Sequence, residues 1–108
     1  MTDTNIVEKE LNELAARLGE EWAVKTVSIN GLLYLRHSSG YSEVFYTPRK
    51  EYMAKVGGFY AYHKDAGKAL LLAKQLVIKD IARKAGALKT AFPQDAVATS
   101  VLNIVNYT

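Results

Sequence analysis

The chain predicts an α+β domain in which an antiparallel sheet of three to four strands packs on a long central helix, flanked by N- and C-terminal helices. Three observations carry this expectation. The stretch Asp65–Ala85, DAGKALLLAKQLVIKDIARKA, is apolar at helical spacing over more than half its circumference. Between Trp22 and Thr47, β-branched and aromatic runs alternate with Asn30-Gly31 and Ser38-Ser39-Gly40, which are turn-forming residues. Separate helical periods lie near both chain ends.

The first helix is expected from about Ile6 to Leu18. Asn5 and Glu8 have the spacing of a capping pair, Val7, Leu11, Leu14, Ala15 and Leu18 form one apolar face, and Gly19 ends the helix. The outer face of this helix is acidic. A strand Trp22–Ile29 then meets Asn30-Gly31, a strong two-residue hairpin signal, and returns as Leu32–His37. Leu33, Leu35 and His37 share one face of that return strand, and Leu32, Tyr34 and Arg36 share the other. A third strand runs Tyr41–Thr47.

Thr47-Pro48 reads as an N-cap with proline at the first helical position, so a short helix over 48–57 carrying Tyr52, Met53 and Val56 is preferred to a loop or strand. Phe59–His63 is a further extended segment leading into the central helix. Asp65 is placed as that helix's N-cap and Gly86 as its C′ residue, with Leu76 and Val77 in the core. Beyond a linker to Phe92-Pro93, Val97, Val101, Ile104 and Val105 have helical spacing; VLNIVNY is rich enough in β-branched residues to form a strand instead.

At 108 residues there is room for one domain, spanning 1–108, and one modest core. The absence of cysteine excludes disulfides, thiolate metal sites and cysteine nucleophiles. No signal-like N-terminal segment and no apolar run of about 18 residues occurs, so a soluble cytoplasmic protein without a membrane partner is expected. The formal charge of +3 is uneven. Residues 1–21 hold six carboxylates against two basic residues, a net −4, while residues 22–108 carry twelve basic residues against five acidic ones, a net +7. A basic body draws in nucleic acid or an acidic protein surface.

Catalytic motifs are absent. His37 and His63 sit beside aromatics and read as structural, and a metal shared with Glu43 and Asp65 has no ligand spacing to support it. His37 and Ser38-Ser39 are too close in sequence to be expected to point together, and no orienting carboxylate is evident. Neither GxxxxGK[ST] nor GxGxxG occurs. No cofactor and no enzymatic activity are expected.

Aromatic residues dominate the extended segments: Tyr34, Tyr41, Phe45, Tyr46, Tyr60 and Tyr62, interleaved with Lys25, Arg36, Lys55 and Lys64. Tyrosines on a sheet offer large rigid contact area with a polar tip, suited to a protein interface or to base stacking. The candidate binding residues are Tyr34, Arg36, Tyr60, Tyr62, Lys64 and Lys68.

The order helix, three strands, helix over 6–85 resembles the double-stranded-RNA-binding domain, whose second helix opens with lysines that grip phosphates. The matching stretch here is His63-Lys64-Asp65-Ala66-Gly67-Lys68, with His63 and Gly67 in place of two lysines. GGFYAYHKDAGKALLLAK is similar to the strand-to-helix join of DNA-binding domains of the integrase N-terminal type. In style, a short cysteine-free chain rich in aromatics and lacking a catalytic constellation resembles the small phage inhibitors of host defence, anti-CRISPR proteins among them. That likeness implies a binding protein acting by stoichiometric occlusion of a host protein or nucleoprotein complex. The alternative is a domain that binds duplex nucleic acid directly through Lys64 and Lys68.

Overall fold

The computed structural model describes residues 2–27, 29 and 31–106, apart from the side chains of 2–4, 102 and 104–106. The elements are α1 (Thr2–Leu18), β1 (Trp22–Thr26), β2 (Leu33–His37), β3 (Ser42–Tyr46), β4 (Tyr52–Val56), β5 (Phe59–His63), α2 (Ala66–Ala91) and α3 (Ala96–Asn106). The five strands form one antiparallel meander in the order β1-β2-β3-β4-β5. The sheet is therefore larger than the three to four strands expected. Contacts cluster into two compact units, Met1–Ala73 and Lys74–Thr108.

In the first unit, α1 lies against β1 and β2. Its apolar stripe is buried at Leu11, which is fully covered, and at Val7 and Leu14, which are nearly so, while Ala15 is half-buried and Leu18, at the helix end, is exposed. The helix already runs through Asn5, so the expected Asn5–Glu8 cap is not its start. Gly19, at φ +125°, ends it, its N–H donating to the Ala15 carbonyl. The core row of the sheet reads Val24, Leu35, Val44, Ala54 and Ala61 across the strands; Leu35, Val44 and Ala54 have no exposed surface.

The first hairpin differs from the expected two-residue turn. Val27 donates to the Leu32 carbonyl and Gly31 donates to the Val27 carbonyl, both at 2.8 Å, so Val27 and not Ile29 faces Leu32. Asn30, on which the expected turn rested, lies outside the described residues. The observed register places Val24 opposite Leu35 in the buried row. The expected register would have put Thr26 there, and burial favours valine.

The expected short helix over 48–57 is not formed. Thr47 N–H bonds the Glu51 carbonyl at 2.8 Å and Lys50 N–H bonds the Thr47 carbonyl at 3.0 Å, closing a three-residue hairpin loop before β4. Proline's fixed φ near −65° suits the second position of a type I turn as well as a helix start, so Thr47-Pro48 reads both ways. The tie is broken by the alternation that follows: Tyr52, Ala54 and Val56 are buried while Met53 and Lys55 are half-buried, a period of two. Lys50 closes the loop at φ 62°, left-handed and unfavourable for a residue with a Cβ. Lys50→Gly is expected to raise stability by about 0.5–1 kcal/mol, the left-handed penalty relieved less the added chain entropy; a denaturant titration reads the shift.

Asp65 caps α2 as expected, its carboxylate accepting from the Lys68 N–H at 2.9 Å. Ala66, Ala69, Leu70 and Ala73 of the first turns are buried. Gly86 does not end the helix. Good helix formers follow it, and α2 runs on to Ala91, where Phe92-Pro93 stops it because the residue before proline is pushed out of the helical region. Asp95 then caps α3, accepting from Val97 N–H at 2.8 Å and Ala98 N–H at 3.2 Å. Within residues 74–108, Ala85 and Ala98 are buried and Lys89 Nζ donates to Thr99 Oγ1 at 3.0 Å. Arg83 and Lys84 both bond Asp80, and these hydrogen bonds, Lys84's foremost, hold its carboxyl below the usual carboxylate range. Val77 is buried as expected. Leu76, placed inside by the sequence pattern, is 39% exposed, and Val97, on the apolar spacing of α3, is 70% exposed. No helix among the described residues is long and apolar enough to cross a membrane.

Candidate functional site

The sheet turns its second face away from the core, and the strand registers fix what that face carries. One row across the five strands reads Lys25, Tyr34, Phe45, Met53, Tyr62, and the next reads Ala23, Arg36, Glu43, Lys55, Tyr60. The first is an aromatic and thioether ridge with a lysine at one edge. The second is mostly charged. Tyr60 and Tyr62 are about half exposed, and Tyr34, Phe45, Met53 and Lys55 are partly covered by one another.

Tyr34 and Phe45 stack with ring centroids 5.0 Å apart and planes 10° from parallel. That separation matches the roughly 4.8 Å spacing of neighbouring strands, so the two rings stand on edge, side by side. Each presents an edge outward and spends a face on its neighbour. Across the next row, Arg36 Nε lies 3.6 Å from Glu43 Oε2, an ion pair longer than a hydrogen bond. The Arg36 guanidinium also packs over Gly40, where an added Cβ would come within 2.7 Å of Nη2. Arg36 is thereby held along the sheet surface. Where the ridge reaches the β3–β4 turn, Thr47, Pro48, Arg49, Glu51, Met53 and Tyr62 line an open hollow of about 630 Å³.

Four of the candidate binding residues, Tyr34, Arg36, Tyr60 and Tyr62, thus share one face. Lys64 and Lys68 do not belong to it. Lys64 is in the bend after β5 and Lys68 is in the first turn of α2, both exposed, with the capping carboxylate of Asp65 between them in sequence. Among the other aromatics, Tyr46 turns inward and meets Tyr52 at 5.1 Å, while Tyr41 lies over Gly57. Met53 joins the ridge unforeseen, because reading 48–57 as a helix hid the alternation that would have revealed it.

The histidines are occupied locally. His63 Nδ1 accepts from the Asp65 N–H at 2.9 Å, and His37 Nδ1 accepts from the Ser39 N–H at 3.0 Å. His37 Nδ1 is also 2.8 Å from Ser39 Oγ, so the turn does bring this pair together, contrary to expectation. Among the described residues no carboxylate bonds that imidazole, and Glu21 takes the hydroxyl of Ser38. Trp22 meets the His37 ring edge-on at 5.2 Å. His37 lies on the core face and Glu43 on the opposite one, with His63 at the other end of the sheet, so the weighed metal ligands His37, Glu43, His63 and Asp65 are not gathered.

No family model, curated protein or solved structure matches the chain.

Proposed function

We propose that the chain is a non-enzymatic binding protein of the phage-inhibitor type, which docks the open face of its sheet on a host nucleic-acid-handling complex and acts by stoichiometric occlusion. The observation that carries the reading is the Tyr34–Phe45–Met53–Tyr62 ridge bordered by Lys25, Arg36 and Lys55. Partly covered aromatics and a methionine with a fixed arginine beside them have the make-up of an interface centre. The edge-up Tyr34–Phe45 stack favours a protein surface over bases, because a base stacks on an open ring face, and each of these rings gives one face to the other and turns an edge outward. The basic residues on the ridge's border suit an acidic surface on that complex.

Direct binding to duplex nucleic acid through Lys64 and Lys68 is the second reading, supported by the exposure of both, one just before α2 and one in its first turn. One experiment separates the two. The partner is captured from host lysate with and without nuclease, and binding is then measured for folded Tyr34→Ala, Tyr62→Ala, Lys64→Glu and Lys68→Glu variants. On the first reading each tyrosine truncation costs about 2 kcal/mol, on the order of thirtyfold in Kd, and the lysine reversals alter mainly association rate and salt dependence. Dead lysine variants beside unaffected tyrosine variants, with affinity falling steeply in salt, favour the duplex reading instead.

A further inference from the structure

We propose that the outer edge of β5 pairs with the same edge of a second copy of this chain, joining two sheets into one continuous antiparallel sheet about a twofold axis at Ala61. The inference is independent of what the open face binds.

β5 is a terminal strand of the sheet. Which of its backbone groups point outward follows from the ladder. Gly57 N–H bonds the Tyr41 carbonyl at 2.9 Å, so on β4 the odd residues 53 and 55 turn their N–H and C=O toward β3. Tyr52, Ala54 and Val56 therefore turn theirs toward β5, where they meet His63, Ala61 and Phe59. The two-residue turn Gly57-Gly58, with φ 58° and 102°, agrees, since it makes Val56 and Phe59 a hydrogen-bonded pair. Tyr60 and Tyr62 are left with their N–H and C=O groups directed away from the sheet, and these groups bond no other described residue.

An edge of this kind templates another strand unless something blocks it. Phe59–His63 contains no charge, no proline and no bulge, whereas the opposite edge, β1, carries Lys25. The second copy fits because the strand is self-complementary. A twofold at Ala61 sets Tyr60 opposite Tyr62 of the second copy and Tyr62 opposite its Tyr60, and in both pairs the outward backbone groups exchange hydrogen bonds. Ala61 faces Ala61 at the non-hydrogen-bonded position, where the strands come closest, and the two methyl groups meet there without crowding. Phe59 meets His63, and Lys64 meets Gly58, so no like charges are opposed. The tyrosine pairs fall on the outer face, giving cross-strand aromatic contacts.

The test reads oligomeric state and backbone protection together. Sedimentation velocity over a concentration series is expected to show a monomer–dimer equilibrium. Amide exchange at Tyr60 and Tyr62 should slow by about tenfold or more as the dimer fills, while the Ala61 amide, bonded to β4, does not change. A monomer at every concentration, or a dimer whose Tyr60 and Tyr62 amides stay unprotected, overturns the proposal. Two variants test the register. Tyr60→Lys/Tyr62→Lys opposes lysines twice and should weaken the dimer by about tenfold, whereas Tyr60→Glu/Tyr62→Lys opposes unlike charges and should hold it better. Equal dissociation of the two overturns the pairing of Tyr60 with Tyr62.

Discussion

Leu11→Ala and Leu35→Ala are each expected to lower stability by about 3–4 kcal/mol. Both side chains are completely buried, one on α1 and one in the central row of the sheet. Truncation there removes the transfer energy of the lost carbons and leaves a cavity that a small, closely packed core cannot collapse to fill. Leu76→Ala is the control. The sequence pattern places Leu76 in the core, but its 39% exposure limits the expected loss to about 1 kcal/mol or less. Urea titrations of the three variants decide the matter. A Leu76→Ala cost equal to that of Leu11→Ala would show that Leu76 is as much a core residue as Leu11, against its observed exposure.

Glu10→Ala is expected to cost about 2–4 kcal/mol, a large effect for a surface-type residue on a helix. Its carboxylate accepts from the Ala66 N–H at 2.7 Å, one of the free donors of the first turn of α2, and also hydrogen-bonds the Tyr52 side chain. Ala66 is fully buried and Tyr52 is 2% exposed, so water cannot replace the lost acceptor at either group. Glu10→Gln keeps one acceptor oxygen and should cost roughly half as much. Alkaline titration provides a second readout. Burial, reinforced by the Glu10 carboxylate, pushes the Tyr52 hydroxyl well above the ordinary phenol range. The folded state thus holds this proton more tightly than the unfolded one. Its contribution is whole below a pH of about 10, where a free tyrosine begins to ionise, and declines as pH rises further. Tyr52→Phe should flatten that alkaline limb while lowering stability at neutral pH. An unchanged limb would place the alkaline loss elsewhere in the chain.

Much of this fold is legible one element at a time. Phe59–His63 is bounded by glycines on one side and a capping aspartate on the other, and its limits are those observed. The split of the second strand into Leu33, Leu35, His37 and Tyr34, Arg36 needs only the two-residue period of a strand. That split already gathers part of the open face, since Tyr34 and Arg36 share a side whatever the sheet does. Asp65 caps α2 because its carboxylate reaches only its own first turn.

What stayed hidden depends on partners distant in sequence. Thr47-Pro48 sets a backbone angle common to a helix start and a type I turn, and the left-handed Lys50 that decides between them carries no local mark. Gly86 is permitted to end a helix but not obliged to, and the residues after it kept α2 going. Glu10 reads as one more carboxylate on an acidic helix face. Only folding brings it to Tyr52 and to the N-terminus of a helix that begins 56 residues later, where it becomes the acceptor for two buried donors. The length of the apolar arc on Asp65–Ala85 belongs to the sequence alone. Which of its residues are covered was decided by the tertiary structure, because burial is a property of neighbours: Ala69, Leu70, Ala73 and Val77 found them, and Leu71, Leu72, Leu76 and Ile81 remain 39–48% exposed.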